Sequence, residues 1–115
     1  MTDKEVLSAY ERTGGVLKGH FLLTSGRHSD TYMQSAKLFV HPKEAEKIAA
    51  ALAEKLAPYK PDMIVSPAVG GIILGYELAR AMGVTDIFAE RENGEMTFRR
   101  GFALEKGSRV IVAED

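Results

Sequence analysis

Apolar residues recur at helical spacing in some stretches of this chain and gather in short unbroken runs in others, and the contrast separates helices from strands. Val6, Leu7 and Tyr10 share one face of a first helix, which Thr2 or Asp3 can cap and Gly14-Gly15 ends. Val16 to Leu23 and Thr31 to Met33 read as extended segments. The turn formers Ser25-Gly26-Arg27-His28-Ser29-Asp30 lie between them, which predicts a hairpin with a polar tip. Pro42 suits the first turn of a second helix, in which Ala45, Ile48, Ala49, Leu52 and Leu56 recur three and four residues apart until Pro58.

After Pro61-Asp62 the pattern changes. A run Met63-Ile64-Val65 leads into Ser66-Pro67-Ala68-Val69-Gly70-Gly71 and then a helical stretch from Ile72 to Met82, ended by Gly83. Strand, glycine-containing loop and helix in that order open a βαβ unit. Asp86 to Glu90 is the next strand, and Arg91-Glu92-Asn93-Gly94-Glu95 carries an Asn-Gly pair suited to a tight turn. The segment Met96 to Leu104 contains Arg99-Arg100-Gly101, Lys106-Gly107 makes a further turn, and Val110-Ile111-Val112-Ala113 reads as a strand buried on both faces. The expected fold class is therefore α/β, with parallel strands at 63–66, 86–90 and 109–113 and ligands gathering outside their carboxyl ends. No residue follows Glu114-Asp115 to form the helix that such a fold places next. The sequence thus reads as a single but incomplete domain over 1–115, with a helix and hairpin in 1–40 and the first part of the α/β core in 41–115.

Composition narrows the function classes. At 45% hydrophobic and 27% charged residues, the chain suits one soluble globular domain. Fifteen Lys and Arg against sixteen Asp and Glu leave a net charge of -1, which gives no global field for nucleic acid or an anionic membrane, so any phosphate binding must be local. The absence of cysteine excludes disulfides, thiolate metal sites and cysteine nucleophiles. His20, His28 and His41 lack the spacing of a metal site and read as loop or strand residues. The first residues hold no apolar signal segment, and the longest apolar stretch, 71–81, is interrupted by Gly75, Glu77 and Arg80, so a cytoplasmic protein without membrane partners is expected.

Four groups of residues can carry chemistry. The glycines of Ser66 to Gly71 let backbone N–H groups approach an anion at a helix N-terminus, although a turn needed only for close packing would look the same. The loop has neither a Walker lysine nor the GxGxxG spacing, which disfavours nucleotide hydrolysis and dinucleotide binding. Glu114-Asp115 can accept hydrogen bonds from sugar hydroxyls and stand near a hydrated magnesium ion; the plainer alternative is a solvated strand end. Arg91, Arg99 and Arg100 flank the Asn-Gly turn and can close over a pyrophosphate, or they are solvated hairpin charges. The Ser25 to Asp30 turn, with Tyr32 and Met33 behind it, offers polar groups and an aromatic ring to a flat heterocycle.

Together these pieces resemble a family. Val110-Ile111-Val112-Ala113-Glu114-Asp115 is similar to the start of the phosphoribosyl pyrophosphate motif of type I phosphoribosyltransferases. Ala68-Val69-Gly70-Gly71 is similar to that family's pyrophosphate loop, and Phe21 to Tyr32 resembles the N-terminal hood of orotate phosphoribosyltransferases. Ala-Glu-Arg-Glu-Asn-Gly and Arg-Arg-Gly-Phe point to the orotate enzymes among their siblings. The resemblance implies a type I phosphoribosyltransferase fold with a small hood, and transfer of phosphoribosyl from phosphoribosyl pyrophosphate to orotate in pyrimidine synthesis. It implies magnesium as cofactor, held mainly by the donor and water near Glu114 and Asp115 rather than by direct protein ligands.

By the same resemblance Ala68, Val69, Gly70, Gly71, Glu114 and Asp115 bind the donor, and Thr24, Ser25, Gly26, Tyr32 and Met33 bind orotate. Arg91, Arg99 and Arg100 form the closing catalytic loop, which in the family serves a neighbouring subunit, so a homodimer is implied. Thr24 and Gly70 stand where many relatives carry lysines, and arginine does not readily give up a proton, so the proton donor is left unassigned. Two other readings keep the fold: a purine-base phosphoribosyltransferase, and a non-catalytic regulator that senses the sugar pyrophosphate while binding nucleic acid. The chain alone, ending inside the donor motif, is expected to be inactive.

Overall fold

Thr2 opens the first helix, α1 (Asp3–Thr13), through a reciprocal cap: its hydroxyl accepts from Glu5 N–H at 3.2 Å while the Glu5 carboxylate accepts from Thr2 N–H at 3.2 Å. The computed structural model describes residues 1–115, in two compact units, Met1–Glu44 and Ala45–Asp115. In the first unit α1 ends at Gly14, whose left-handed φ of 79° stops the helix. Strands β1 (Val16–Leu22) and β2 (His28–Met33) then pair antiparallel from Val16 opposite Met33 to Leu22 opposite His28, with the register slipping between Lys18 and Phe21. The expected hairpin with its polar tip is present. A short helix, α2 (Ser35–Phe39), follows that the sequence pattern did not predict; it buries Leu38 and Phe39 and packs against α1, where Tyr10 Oη and Ser35 Oγ are 2.8 Å apart.

Helix α3 (Pro42–Leu56) runs into the second unit and buries Ala45 and Ala49. Pro58 cannot extend it, and a single 3₁₀ turn, Ala57–Tyr59, ends the segment. The remaining elements are β3 (Met63–Pro67), α4 (Ile72–Met82), β4 (Thr85–Glu92), β5 (Glu95–Thr97) and β6 (Val110–Val112). They build a four-stranded sheet in the order β5-β4-β3-β6, in which β3 is parallel to both β4 and β6. The three parallel strands expected from the sequence are therefore present, and β5 adds an antiparallel partner to β4. Asn93 and Gly94, with φ of 53° and 82°, make the two-residue turn between them, the backbone that an Asn-Gly pair adopts most readily.

Packing of α4 on β3 and β4 forms a core in which Ile64 and Leu78 are fully buried and Leu74 and Ala79 nearly so, and Ile87 of β4 is buried as well. Burying a side chain such as Leu78 contributes about 2 kcal/mol. The expectation of a strand buried on both faces at Val110 to Ala113 is corrected: Ala113 is buried, but Val110 and Ile111 are half-buried and Val112 is 73% exposed. The reason is position, since β6 borders only β3 and no element covers the face that Val112 presents.

Candidate functional site

The strand register brings three chain segments to one edge of the sheet. Val65 lies opposite both Ile87 and Val112, so β3, β4 and β6 run level, and their carboxyl ends are tied by Ala68 N–H donating to Ala89 O at 2.7 Å and Ala113 N–H to Val65 O at 2.9 Å. From the end of β3 the loop 68–71 turns tightly into α4, and the Ala68–Val69 peptide is cis. Gly71 N–H and Ile72 N–H bond inward to Pro67 O and Val69 O, whereas Val69 N–H and Gly70 N–H have no backbone acceptor. Two free N–H groups beside a helix N-terminus are suited to receive an anion. Val69 itself is 83% exposed, so its side chain plays no part in the core.

Both glycines of this loop lie at close approaches, Gly71 to backbone and Gly70 to a movable side chain. A β-carbon on Gly70 would lie 2.7 Å from Asp115 Oδ1, and one on Gly71 would lie 3.0 Å from both Ala113 O and Pro67 O. Asp115 thus stands directly against the loop, with Glu114 beside it, both exposed at the end of β6. The sequence placed loop and acidic pair at the same edge, and the structure brings them into contact. A carboxylate beside free N–H groups can accept hydroxyl groups of a sugar while the N–H groups hold its phosphates.

Arg91, Arg99 and Arg100 lie on the hairpin and on the turn that follows it. Arg91 Nη1 donates to Gly94 O at 3.1 Å, and Arg99 Nε is 3.9 Å from Glu92. Arg100 grips Glu90 at two points, and this hydrogen-bonded partner holds the Glu90 carboxyl below its ordinary range and raises Arg100 above its own. In the first unit, Thr24, Ser25 and Gly26 sit exposed at the hairpin tip, where Gly26 has φ of 85°. Tyr32 and Met33 are exposed along β2, and the Tyr32 ring lies 5.7 Å from that of Phe21. His20 and His28 face each other across this hairpin, Nε2 to Nδ1 at 2.7 Å, and no group of three or more ligating side chains is assembled anywhere in the chain.

One polar cluster was not anticipated. Ser66 on β3 is fully buried, Asp86 on β4 is partly buried, and neither Ser66 Oγ nor Asp86 Oδ1 has a hydrogen-bond partner. Both meet α4 at Gly75, where a β-carbon would lie 2.6 Å from the serine oxygen and 3.1 Å from the aspartate oxygen. Burial pushes the Asp86 carboxyl up to about 6. The available signal was the alternation Asp86, Phe88, Glu90, which puts a carboxylate on the strand face that packs against a helix.

Comparison with models of known families finds no match. Over its whole length the chain is 51% identical to the orotate phosphoribosyltransferase of Caldanaerobacter subterraneus subsp. tengcongensis and 50% identical to that of Pelotomaculum thermopropionicum, covering 60% of each. The chain therefore spans about 60% of the length of these curated relatives. Among solved structures, the Leishmania donovani UMP synthase superposes with a TM-score of 0.81 at 25% identity, over 97% of this chain and 24% of that one. The orotate phosphoribosyltransferase from Aeropyrum pernix superposes with a TM-score of 0.69 at 21% identity, over 96% of this chain and 64% of that one. The resemblance read from the sequence motifs extends along the whole chain.

Proposed function

We propose that this chain, which has the type I phosphoribosyltransferase fold and is homologous throughout to orotate phosphoribosyltransferases, forms the donor site and the base-facing hairpin of such an enzyme. The reaction is transfer of phosphoribosyl from phosphoribosyl pyrophosphate to orotate, giving orotidine 5'-phosphate and pyrophosphate in pyrimidine nucleotide synthesis. The observation that supports this reading most is the closeness of Asp115 to the Gly70 position, because a carboxylate beside a loop with free N–H groups suits a ligand that is part sugar and part diphosphate.

In this reading Val69 N–H and Gly70 N–H receive the diphosphate, backed by Ala68 and Gly71 and by the N-terminal end of α4. Glu114 and Asp115 accept the ribose hydroxyls. The ribose C1–oxygen bond to the diphosphate breaks and a ring nitrogen of orotate bonds to that carbon while its N–H proton passes to the departing diphosphate or to water, with positive charge developing on the ribose and negative charge on the leaving group. Arginines of the segment Arg91 to Arg100 would offset the negative charge that develops in this step. Thr24, Ser25, Gly26, Tyr32 and Met33 supply polar groups and an aromatic face for the orotate ring.

Magnesium fits the donor set. Asp115 lies against the loop that would hold a dianion, and a divalent cation bound near this edge would offset the repulsion of like charges. With two adjacent carboxylates and no three-ligand cluster, the protein would not cage the ion: donor oxygens and water would hold it, near Glu114 and Asp115. Bound there, the ion would neutralise the departing diphosphate. Pairing of two copies belongs to the same proposal, and the exposed Ile73 and Tyr76 on α4 are apolar surface that pairing would cover.

The test is orotate consumption with phosphoribosyl pyrophosphate and magnesium by a polypeptide carrying residues 1–115 extended to the relatives' full length, with adenine, guanine, hypoxanthine and xanthine in parallel. Turnover of orotate alone is expected. Turnover of a purine would keep the donor site and replace the acceptor; donor binding without turnover of any base would favour a regulator.

A further inference from the structure

We propose that Arg100 is a positioning residue rather than a phosphate ligand: with Glu90 it forms a latch that holds the turn 99–102 on β4 and so presents Arg99 to the donor. This deepens the function proposed above and rests on it for the identity of the ligand.

The first observation is how fully Arg100 is engaged by its own chain. Its Nε lies 3.0 Å from Glu90 Oε2 and its Nη2 lies 3.2 Å from Glu90 Oε1, a two-point grip that uses one edge of the guanidinium. Its Cζ lies 5.7 Å from the centroid of the Phe88 ring, which occupies the same face of β4 two residues before Glu90. An incoming phosphate would have to displace the Glu90 carboxylate before it could take that edge. Arg91 and Arg99 are held less closely, the first by one bond to a carbonyl and the second by a carboxylate 3.9 Å away.

The second observation is the backbone. Arg100 has φ of 62° and Gly101 has φ of 76°, two consecutive left-handed residues. Glycine adopts that conformation freely, but a residue with a β-carbon holds it only where its surroundings enforce it. Two contacts do so, one on each side of Gly101. Arg100 is fastened to Glu90, and Phe102 sets its ring edge-on to Phe88 with centroids 5.4 Å apart while its N–H closes on Arg99 O at 3.0 Å. The turn is thus clamped to β4 by a polar and an aromatic contact that share Phe88. Its remaining side chain, Arg99, is the one left available to reach an anion.

The division of labour is tested by two readouts on a polypeptide carrying residues 1–115 extended to the relatives' full length: hydrogen exchange at the Phe102 amide without ligand, and calorimetric titration with magnesium phosphoribosyl pyrophosphate. Arg100→Lys keeps the charge but loses the two-point grip, so exchange at Phe102 is expected to quicken about threefold. Arg100→Glu and Glu90→Arg each quicken exchange and weaken donor binding, and the double exchange Glu90→Arg with Arg100→Glu restores both to within about twofold of the starting protein. Arg99→Ala weakens donor binding about tenfold while leaving Phe102 exchange unchanged.

Unchanged exchange in Arg100→Lys and Arg100→Glu would overturn the latch. Restored exchange in the double variant with donor binding still as weak as in Arg100→Glu would overturn it differently, by making Arg100 a direct ligand. A starting protein that fails to bind the donor would sink the function proposed above instead, and the exchange readout would still decide the latch.

Discussion

Asp86 carries a carboxylate to a face of β4 that packs under α4, and its Oδ1 has no partner there. Burial raises its pKa from the ordinary 3.8 to about 6. A folded-state value above the unfolded one means that the fold favours the neutral acid, so ionisation costs stability. The cost is absent below the unfolded value, grows as pH rises between about 4 and 6, and is complete above the folded value. Because the group is partly exposed, we set the full cost at about 1 kcal/mol, well below the unscreened conversion. Asp86→Asn is therefore expected to raise the urea midpoint at pH 7.5 and to leave it unchanged at pH 4; a larger gain at pH 4 would contradict the assignment. The loop glycines differ in kind. Gly71→Ala meets two carbonyl oxygens that cannot move cheaply and should cost about 2 kcal/mol of stability. Gly70→Ala meets only the carboxylate end of Asp115, so stability should change by less than about 0.5 kcal/mol. Donor binding by this variant, measured calorimetrically, should nevertheless fall about tenfold as Asp115 is displaced.

At the scale of elements, the caps and glycines that the sequence displays are the ones that end its helices. Thr2 closes both halves of a capping box on α1, and Thr2→Ala should lower stability by about 1 kcal/mol, seen as a melting temperature about 4 °C lower. Helices α1, α3 and α4, the β1–β2 hairpin and the three parallel strands were legible because each rests on periodicity over several residues or on a turn former with a defined backbone. Helix α2 was not, since five residues hold too little periodicity and its Gln34 cap makes no side-chain bond. Burial of β6 was overestimated because an apolar run records what a strand can tolerate, while its neighbours in the sheet decide what covers it. The site was legible as segments. The approach of Asp115 to Gly70 depends on the register of β6 against β3, and the grip of Arg100 on Glu90 depends on a left-handed turn; neither is written in local sequence.

At the scale of the whole molecule, the net charge of -1 offers an anion no long-range attraction, so capture of the proposed donor would depend on local groups. No helix is long and apolar enough to cross a membrane. The level ends of β3, β4 and β6 gather those local groups: free N–H donors from one loop, two carboxylates from the next strand and arginines from the hairpin beyond. Opposite charges at one edge are suited to a ligand that is itself part sugar and part diphosphate. The most direct test is calorimetric titration of a polypeptide carrying residues 1–115 extended to the relatives' full length with phosphoribosyl pyrophosphate, with and without magnesium, alongside Glu114→Gln and Asp115→Asn. One site that requires magnesium and weakens at least tenfold in either variant is the expected result; binding that both variants leave intact, or no binding with magnesium present, would contradict a donor site at this edge.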